Sequence, residues 1–260
     1  MLFLLVGALG LAVGSFLNVV IYRVPRKESI LAPASHCPSC GTPIRPWHNI
    51  PVLGWLVLRG KCAACRAPIS VRYPLVELIT AILFVAVTWR LTAENLGSAV
   101  PAYLYFTAIG ITLAAIDLDV RRLPNVIVLP SYPVLAVLLA ASAWWQGDWW
   151  SLPRAVMGGA ALFAFFLVLV LVYPAGMGFG DVRLAGIVGG VMAYLSWGAF
   201  LTGAFAGFLL GALTGLGLIA ARRGGRRTAV PFGPFMIAGV FVALFLGDSL
   251  ADWYLDLLIR

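Results

Sequence analysis

Long apolar segments separated by short polar ones fill most of the chain between residues 2 and 246. Runs of roughly 17 to 24 apolar residues are long enough to cross the hydrocarbon core of a bilayer as helices. About eight segments approach or reach this length,. They are 2–22, 75–89, 98–116, 126–145, 155–173, 184–197, 199–220 and 230–246. The pattern predicts an all-α polytopic membrane protein with about eight transmembrane helices.

Composition supports this fold class, because 62% of the 260 residues are hydrophobic and only 11% are charged. A soluble domain of that composition would expose large apolar patches. One polar stretch, 23–74, is long enough to form a separate module, and it contains all four cysteines. We therefore expect a first transmembrane helix at 1–22, a small zinc-ribbon-like insertion at 23–74, and a transmembrane domain at 75–260.

Basic residues are distributed unevenly among the connections between the apolar segments. One side of the bundle collects 23–74, 121–122, 183 and 222–227, which carry all but three of the 18 basic residues. The positive-inside rule assigns that side to the cytoplasm. Arg90, Arg154 and Arg260 then lie outside, together with four tryptophans between 144 and 150. The net charge of +8 follows from this topology, and we expect a lipid bilayer, not nucleic acid, as the surrounding partner,.

The four cysteines form two C-x-x-C pairs, separated by 21 residues, within the predicted cytoplasmic module. The pairs are Cys37 with Cys40 and Cys62 with Cys65. This spacing is typical of four thiolates that close a tetrahedral zinc site, and a reducing compartment disfavours disulfides. An iron-sulfur cluster and two pairs of redox thiols are the alternatives. Zinc in a structural role is the favoured interpretation, because a closed four-cysteine site has no open position for substrate.

Two aspartates stand at the edges of apolar segments that otherwise exclude charge. Asp117 ends the third segment, and Asp181 follows Gly178 and Gly180 just before the sixth. A carboxylate at a bilayer edge is costly, so a functional role is its first interpretation. The topology places both on the cytoplasmic side, where a pair sharing one proton could hydrolyse a peptide bond without a covalent intermediate. The alternative for Asp181 is a carboxylate that caps the next helix.

Two further acidic residues lie near the same predicted membrane face. Asp119 is two residues further from the membrane than Asp117, and we expect it to be a solvated partner of Arg121 and Arg122. Glu77 begins the second apolar segment. It is interpreted either as a first-turn carboxylate that interacts with the helix dipole or as a side chain that faces the cytoplasmic module and contributes to a second site.

The order and spacing of these motifs resemble the type 4 prepilin peptidases, which are GxGD-type intramembrane aspartyl proteases. The resemblance covers nearly the whole chain, and its motifs are Gly14 to Arg23, both cysteine pairs, Ile69 to Glu77, Asp117 with the following Leu123-Pro124, Gly178 to Asp181, and Pro231 to Phe235.

This resemblance implies a bifunctional enzyme of the bacterial inner membrane. It implies that Asp117 and Asp181 are catalytic, with Gly178 and Gly180 in the active-site loop, and that the enzyme removes basic leaders from type IV prepilins or type II secretion pseudopilins. It further implies N-methylation of the new N-terminus with S-adenosylmethionine, with 23–74 as the methyltransferase region and 75–260 as the aspartyl peptidase domain. Glu28, Glu77 and Asp119 are candidates for contacts with the basic leader.

Two other classes of protein were weighed against this enzyme. A proton- or cation-coupled transporter would use the two aspartates to bind its ion, but such sites are expected near the bilayer midplane in two related halves. A membrane scaffold that docks a partner through the zinc module would leave Asp117 and Asp181 without a role. The aspartyl peptidase is therefore the favoured interpretation.

Overall fold

The structure, a computed structural model, describes residues 1–174, 177–221 and 231–259, with side chains up to residue 250 except 248. The basic cluster at 222–227 and Arg260, which the sequence analysis assigned to opposite sides of the membrane, lie outside the described residues.

The described residues form nine α-helices. These are α1 Leu2–Arg23, α2 Leu53–Val57, α3 Arg72–Ala93, α4 Val100–Val120, α5 Asn125–Gln146, α6 Ser151–Val172, α7 Phe179–Leu195, α8 Trp197–Ala220 and α9 Gly233–Ile259. Short 3-10 turns occur at Val24–Arg26, Pro46–Asn49 and Gly97–Ala99. No strand longer than an isolated bridge occurs in this part of the chain.

The predicted all-α membrane fold is confirmed. Six helices, α1, α3, α4, α5, α6 and α8, are long and apolar enough to cross a bilayer. Helix α7 has 17 residues, and the apolar part of α9 that meets the same test of composition, Gly233–Gly247, is also shorter. The count of eight transmembrane spans therefore stays a prediction.

The last predicted segment, 230–246, differs most from its helix, because α9 continues to Ile259. The two shortest predicted segments also differ from the observed helices at both ends. Helix α3 begins at Arg72 and ends at Ala93, so it extends beyond the predicted 75–89 at both ends. Proline is tolerated in a first turn, and Pro74 lies there,. Helix α7 begins at Phe179, five residues before the predicted 184. In both helices polar terminal residues are helical, although they do not belong to the apolar pattern.

Glycines allow three pairs of helices to pack at close range. A Cβ atom on Gly189 of α7 would lie 2.5 Å from the Gly158 carbonyl oxygen of α6. A Cβ atom on Gly239 of α9 would lie 2.4 Å from the Gly203 carbonyl oxygen of α8. Helices α1 and α3 approach similarly at Gly10. Such small-residue contacts are the usual means of tight helix packing in membranes.

One end of the bundle gathers the termini of six helices. The Asn18 side chain of α1 donates to the Tyr73 carbonyl of α3 at 3.0 Å, and the ends of α4 and α9 meet where Gly233 contacts Asp117. The N-termini of α5 and α7 complete this end, joined by Arg183 and Asn125. This is the end that the sequence assigned to the cytoplasm.

The opposite end is closed by two arginines. Arg154 donates to the carbonyl oxygens of Ala193, Tyr194 and Leu195 at 2.6 to 3.0 Å, where α7 ends. Arg90 donates to the Leu244 carbonyl oxygen at 3.0 Å. A cation at a helix C-terminus satisfies unpaired carbonyls and complements the helix dipole, which is the role of Arg154. Arg90 instead links the last turn of α3 to the middle of α9.

Glycine packing gives a test of the α8–α9 contact. Gly203→Ala should destabilise the protein by about 1–3 kcal/mol, because the new Cβ would lie 2.3 Å from Met192 Sδ and 2.8 Å from the Gly239 carbonyl oxygen,. Gly215→Ala is the matched control on the same helix, since nothing lies within 4 Å of its Cβ position. Thermal unfolding in detergent measures both, and equal stability of the two variants would contradict the contact.

Candidate active site and cysteine module

Asp117 is a buried carboxylate held in place by a neighbouring helix. It lies in the last turn of α4, and its Oδ2 accepts a hydrogen bond of 3.1 Å from the Gly233 N–H at the start of α9. A Cβ atom at position 233 would lie 2.8 Å from the same oxygen. The close approach of α9 to Asp117 therefore requires glycine at this position.

Asp181 lies in the first turn of α7, three residues after the N-cap residue Gly178. A Cβ atom on Gly178 would lie 3.8 Å from Asp181 Oδ2, so the carboxyl group lies beside the N-cap residue. The positive end of the helix dipole favours a negative charge there. The capping interpretation thus fits the observed geometry of Asp181, and it is compatible with a second role for the same group.

The structure brings the two aspartates to one place. Both lie beside the same side chain, that of Leu123. Leu123, in the connection between α4 and α5, packs against the backbone beside each of them. Its Cβ would lie 3.0 Å from a Cβ atom on Gly180, and its Cδ2 would lie 3.5 Å from one on Gly233.

Of the two glycines in the predicted active-site loop, only Gly180 is required by close packing, and neither is required by its backbone conformation. Gly178 has φ −85° and ψ 152°, which any residue can adopt,. Gly180 is constrained by packing, because a side chain there would collide with Leu123. The absence of a side chain at Gly180 therefore lets α7 approach the α4–α5 connection.

The N-termini of α5 and α7 are fastened together beside this site. The Arg183 guanidinium donates to the Asn125 side-chain oxygen, and the Tyr132 hydroxyl donates to the Arg183 carbonyl at 2.6 Å. Asp181 is two residues before Arg183 on α7, and Asn125 follows the Leu123 connection. These contacts fix the helix that carries one carboxylate against the loop that packs beside both.

The prediction that Asp119 pairs with Arg121 and Arg122 is wrong. Its carboxylate binds Arg72, whose Nη1 lies 2.6 and 2.8 Å from the two oxygens, instead of Arg121 or Arg122. Arg72 also donates to the Ala115 carbonyl at 3.2 Å. Arg121 takes a left-handed conformation, with φ 51°, as the chain leaves α4. Arg72 therefore links the start of α3 to the turn of α4 that carries Asp117.

The first-turn interpretation of Glu77 is also wrong. Helix α3 begins at Arg72, so Glu77 lies in the second turn. Its Oε2 accepts a hydrogen bond of 2.7 Å from the Val52 N–H of the inserted module. The alternative interpretation, a side chain that faces the module, is the one that agrees with this contact.

The four cysteines converge as their spacing predicts. The sulfur atoms of Cys37, Cys40, Cys62 and Cys65 all lie within 4.8 Å of one another. Two ligands of a tetrahedral site with a Zn–S distance of about 2.3 Å would lie roughly 3.8 Å apart. The observed distance between the Cys37 and Cys65 sulfurs is 3.8 Å, so the donor set and its dimensions fit a zinc ion.

The two cysteine pairs sit on matching turns. Cys37 N–H donates to the Thr42 carbonyl and Cys62 N–H donates to the Ala67 carbonyl, at 3.0 and 2.8 Å. The residue after each second cysteine, Gly41 or Arg66, has a positive φ of 69° or 62°. The sequence indicated the first of these turns through its glycine, whereas Arg66 gave no such signal.

The thiols of the cluster differ in pKa. A backbone hydrogen bond with Ala67 lowers the pKa of Cys65, but the neighbouring Cys40 side chain and burial outweigh it and raise this pKa to about 11. Side-chain and backbone hydrogen bonds with Thr42 lower the pKa of Cys40 to about 6. A thiolate is the form that binds metal. This electrostatic setting agrees with a metal-binding role for the cluster.

Sequence reasoning assigned no positioning role to Leu123, Asn125 or Gly233, although Leu123 and Gly233 lie in motifs that carry the resemblance. A glycine between two Pro-Phe pairs at the start of an apolar segment was visible at 233. Nothing in the local pattern indicated that this glycine would contact a residue 116 positions earlier. Chemically, the assembled group offers two carboxyl groups from different helices, the arrangement needed to activate water against a carbonyl carbon.

Two family models cover most of the chain. Residues 8–91 match the model described as Bacterial Peptidase A24 N-terminal domain. Residues 104–246 match the model described as Type IV leader peptidase family. The first contains the cysteine module, and the second contains both aspartates.

Curated relatives match the chain from end to end. A protein from Aeromonas hydrophila named prepilin leader peptidase/N-methyltransferase is 38% identical, over 97% of this chain and 93% of the relative. Proteins of the same name from Pseudomonas putida and Legionella pneumophila are 36% and 35% identical, over 93% and 98% of this chain and 90% and 94% of the relatives. No solved structure matches the chain. The transporter alternative finds no support, and the chain belongs to the type IV leader peptidase family.

Proposed function

We propose that this protein removes the leader peptide from prepilins, or the related pseudopilins, by hydrolysis at an Asp117–Asp181 pair. One observation carries the proposal. Two carboxylates from different helices meet at one end of the membrane bundle, and one of them is buried and anchored by a backbone amide. Family membership supplies the substrate class.

The proposed reaction needs no covalent intermediate. The ionised carboxylate takes a proton from water as the water attacks the scissile carbonyl carbon, and the protonated carboxyl group hydrogen-bonds the developing oxyanion. Two like charges at close range cannot both ionise easily, so the pair holds one proton between them. Gly233 fixes Asp117 Oδ2, which leaves Oδ1 free to face the water.

The site is proposed to face the cytoplasm of a bacterial inner membrane. The aspartates share their end of the bundle with Arg72, Arg121, Arg122 and Arg183, and positive residues favour the cytoplasmic side. A leader on the cytoplasmic side could reach the aspartates while the apolar helix of the substrate remains in the bilayer. Asp119 is neutralised by Arg72, which weakens it as a contact for a basic leader.

The second proposed activity is N-methylation of the new N-terminus, with S-adenosylmethionine as the donor. It is supported by the name shared by the relatives and by the presence of the complete inserted module, which the N-terminal family model covers. S-adenosylmethionine would supply an electrophilic methyl group to the freed amine.

Zinc is the metal proposed to be bound by the four cysteines, and its role is structural. Residues 24–71 contain only short helical turns and the five-residue α2, and Cys37 is the one buried hydrophobic side chain among them. A module with so small a core depends on its metal to fold. Cys37, Cys40, Cys62 and Cys65 would hold the ion.

The peptidase proposal is tested with single substitutions. Asp117→Asn and Asp181→Asn should each lower kcat for a prepilin-like substrate by about 10³-fold or more, because each removes one member of the acid–base pair. Cleavage is followed by mass spectrometry with purified protein in lipid. Asp148→Asn is the control, since Asp148 is an exposed acid in the connection between α5 and α6. Full activity of either active-site variant would remove that residue from the mechanism.

The anchoring role of Gly233 gives a second test. Gly233→Ala should lower kcat by roughly 10- to 100-fold, because its Cβ would displace the Asp117 carboxylate,. Substrate affinity should change little. Gly215→Ala, whose Cβ position is open, should cleave normally. Wild-type kcat in Gly233→Ala would show that the amide contact does not position the carboxylate.

The zinc proposal predicts the metal content of cysteine variants. Wild-type protein should contain one zinc ion per chain by elemental analysis, and Cys37→Ser should lose it and become sensitive to protease within 23–74. Ser39→Ala, between the same two cysteines, is the matched control and should keep its metal. Iron in place of zinc, or full zinc in Cys37→Ser, would contradict the proposal.

A further inference from the structure

A large cavity lies between the inserted module and the membrane helices α1 and α3. Its volume is about 1140 Å³, slightly above the range of about 300–1000 Å³ that is typical of ligand pockets. Its wall includes aromatic and polar side chains from all three parts, namely Asn18, Tyr22, His48, Trp55, Tyr73 and Glu77.

Glu77 is the most unusual group in this wall. Among the described residues, Glu77 and Asp117 are the only buried acidic side chains, and Glu77 is 8% exposed. The Val52 N–H is the one hydrogen-bond donor to its carboxylate in this part of the chain. The remaining oxygen, Oε1, is therefore free to accept a hydrogen bond from a ligand in the cavity.

The cavity is built before any ligand arrives. Val52 has φ 61°, a strained conformation for a β-branched residue,, and this conformation directs its N–H to Glu77. The buried Arg23 donates to the carbonyls of Ser29 and Pro33 at 2.9 and 2.7 Å and so fixes another part of the wall. Trp55 donates to the Ile69 carbonyl at 3.1 Å. A preformed site lowers the entropic cost of binding.

One hydrophobic cluster separates the cavity from the aspartate pair. Val76, next to Glu77, packs with Ile116, next to Asp117, and with Leu17 and Ile21 of α1. Arg72 reinforces the same junction through Ala115 and Asp119. The cavity and the aspartate pair therefore lie beside the same junction of α1, α3 and α4.

We propose that this cavity is the methyl-transfer site, in which S-adenosylmethionine binds against the aromatic wall and Glu77 receives the amino group of the cleaved substrate. This inference rests on the proposed methyltransferase activity. The aromatic side chains of Tyr22, Trp55 and Tyr73 suit an adenine ring, and the cavity has room for the donor together with the first residue of a peptide.

The charge of Glu77 matches the proposed step. The substrate ammonium gives one proton to Oε1 of Glu77, which leaves the nitrogen lone pair free. The lone pair attacks the methyl carbon, a C–N bond forms, and the C–S bond breaks with its electron pair passing to sulfur. The donor leaves as a neutral thioether, the positive charge moves to the methylated nitrogen, and Glu77 keeps the proton until it passes to solvent.

Donor binding tests the cavity separately from the chemistry. Binding of S-adenosylmethionine to purified full-length protein is measured by calorimetry. Ser15→Trp places a large ring in the cavity wall and should weaken donor binding at least 10-fold. Phe16→Trp, at the adjacent position where Phe16 is 50% exposed, should bind as the wild type does.

Substitution of Glu77 tests the role of its charge. Glu77→Gln keeps an oxygen for the Val52 N–H but cannot take a proton, so methylation of the cleaved peptide should fall at least 100-fold. Methylation is assayed on a peptide that has already been cleaved, so the result does not depend on leader removal, and donor affinity is measured in parallel. Glu94→Gln, at the other end of the same helix, should methylate normally.

The outcomes separate this inference from the proposed function. Normal donor binding in Ser15→Trp, or normal methylation in Glu77→Gln, would overturn the assignment of the cavity. If Ser15→Trp does not fold, the methylation rate of Glu77→Gln decides. A wild-type protein that cleaves its substrate but neither binds the donor nor methylates would instead refute the second proposed activity and the inference with it.

Discussion

The hydrogen bond from the Gly233 N–H to Asp117 Oδ2 joins two helices that are distant in sequence at a buried carboxylate. A charge at the edge of a bilayer costs several kcal/mol by most estimates, and a backbone amide offsets part of this cost without adding a side chain. Because position 233 is glycine, α9 comes close enough to make the contact. Leu123 then packs against Gly233 and Gly180 and brings the Asp181 helix to the same place.

The sites of the two proposed activities would lie on either side of one hydrophobic cluster. The aspartate pair lies on one side of the cluster formed by Leu17, Ile21, Val76 and Ile116, and the cavity with Glu77 lies on the other. Cleavage produces an amine at the first site, and methylation consumes it at the second. Such an arrangement would explain why one chain carries both an inserted module and a membrane peptidase domain.

The sequence was sufficient to predict features that depend on residues close to one another in the chain. Two C-x-x-C pairs predicted the sulfur cluster that is observed, and apolar segments located the long helices to within a few residues except at the end of α9, which continues to Ile259. Contacts between residues that are far apart in the chain could not be predicted from the sequence. Asp119 was expected to bind its neighbours Arg121 and Arg122, yet its partner Arg72 is 47 residues away. Gly233 and Leu123 carry no charge, so only the packing of helices reveals their positions beside the aspartates.

The central claim is that Asp117 and Asp181 act as one unit, and a double-mutant comparison of leader cleavage tests it most directly. If the carboxylates share one proton and one water, the double variant Asp117→Asn with Asp181→Asn should have the same residual kcat as either single variant, because removing one member already disables the pair. Losses that multiply in the double variant would show that the two residues contribute independently, and would contradict the shared site.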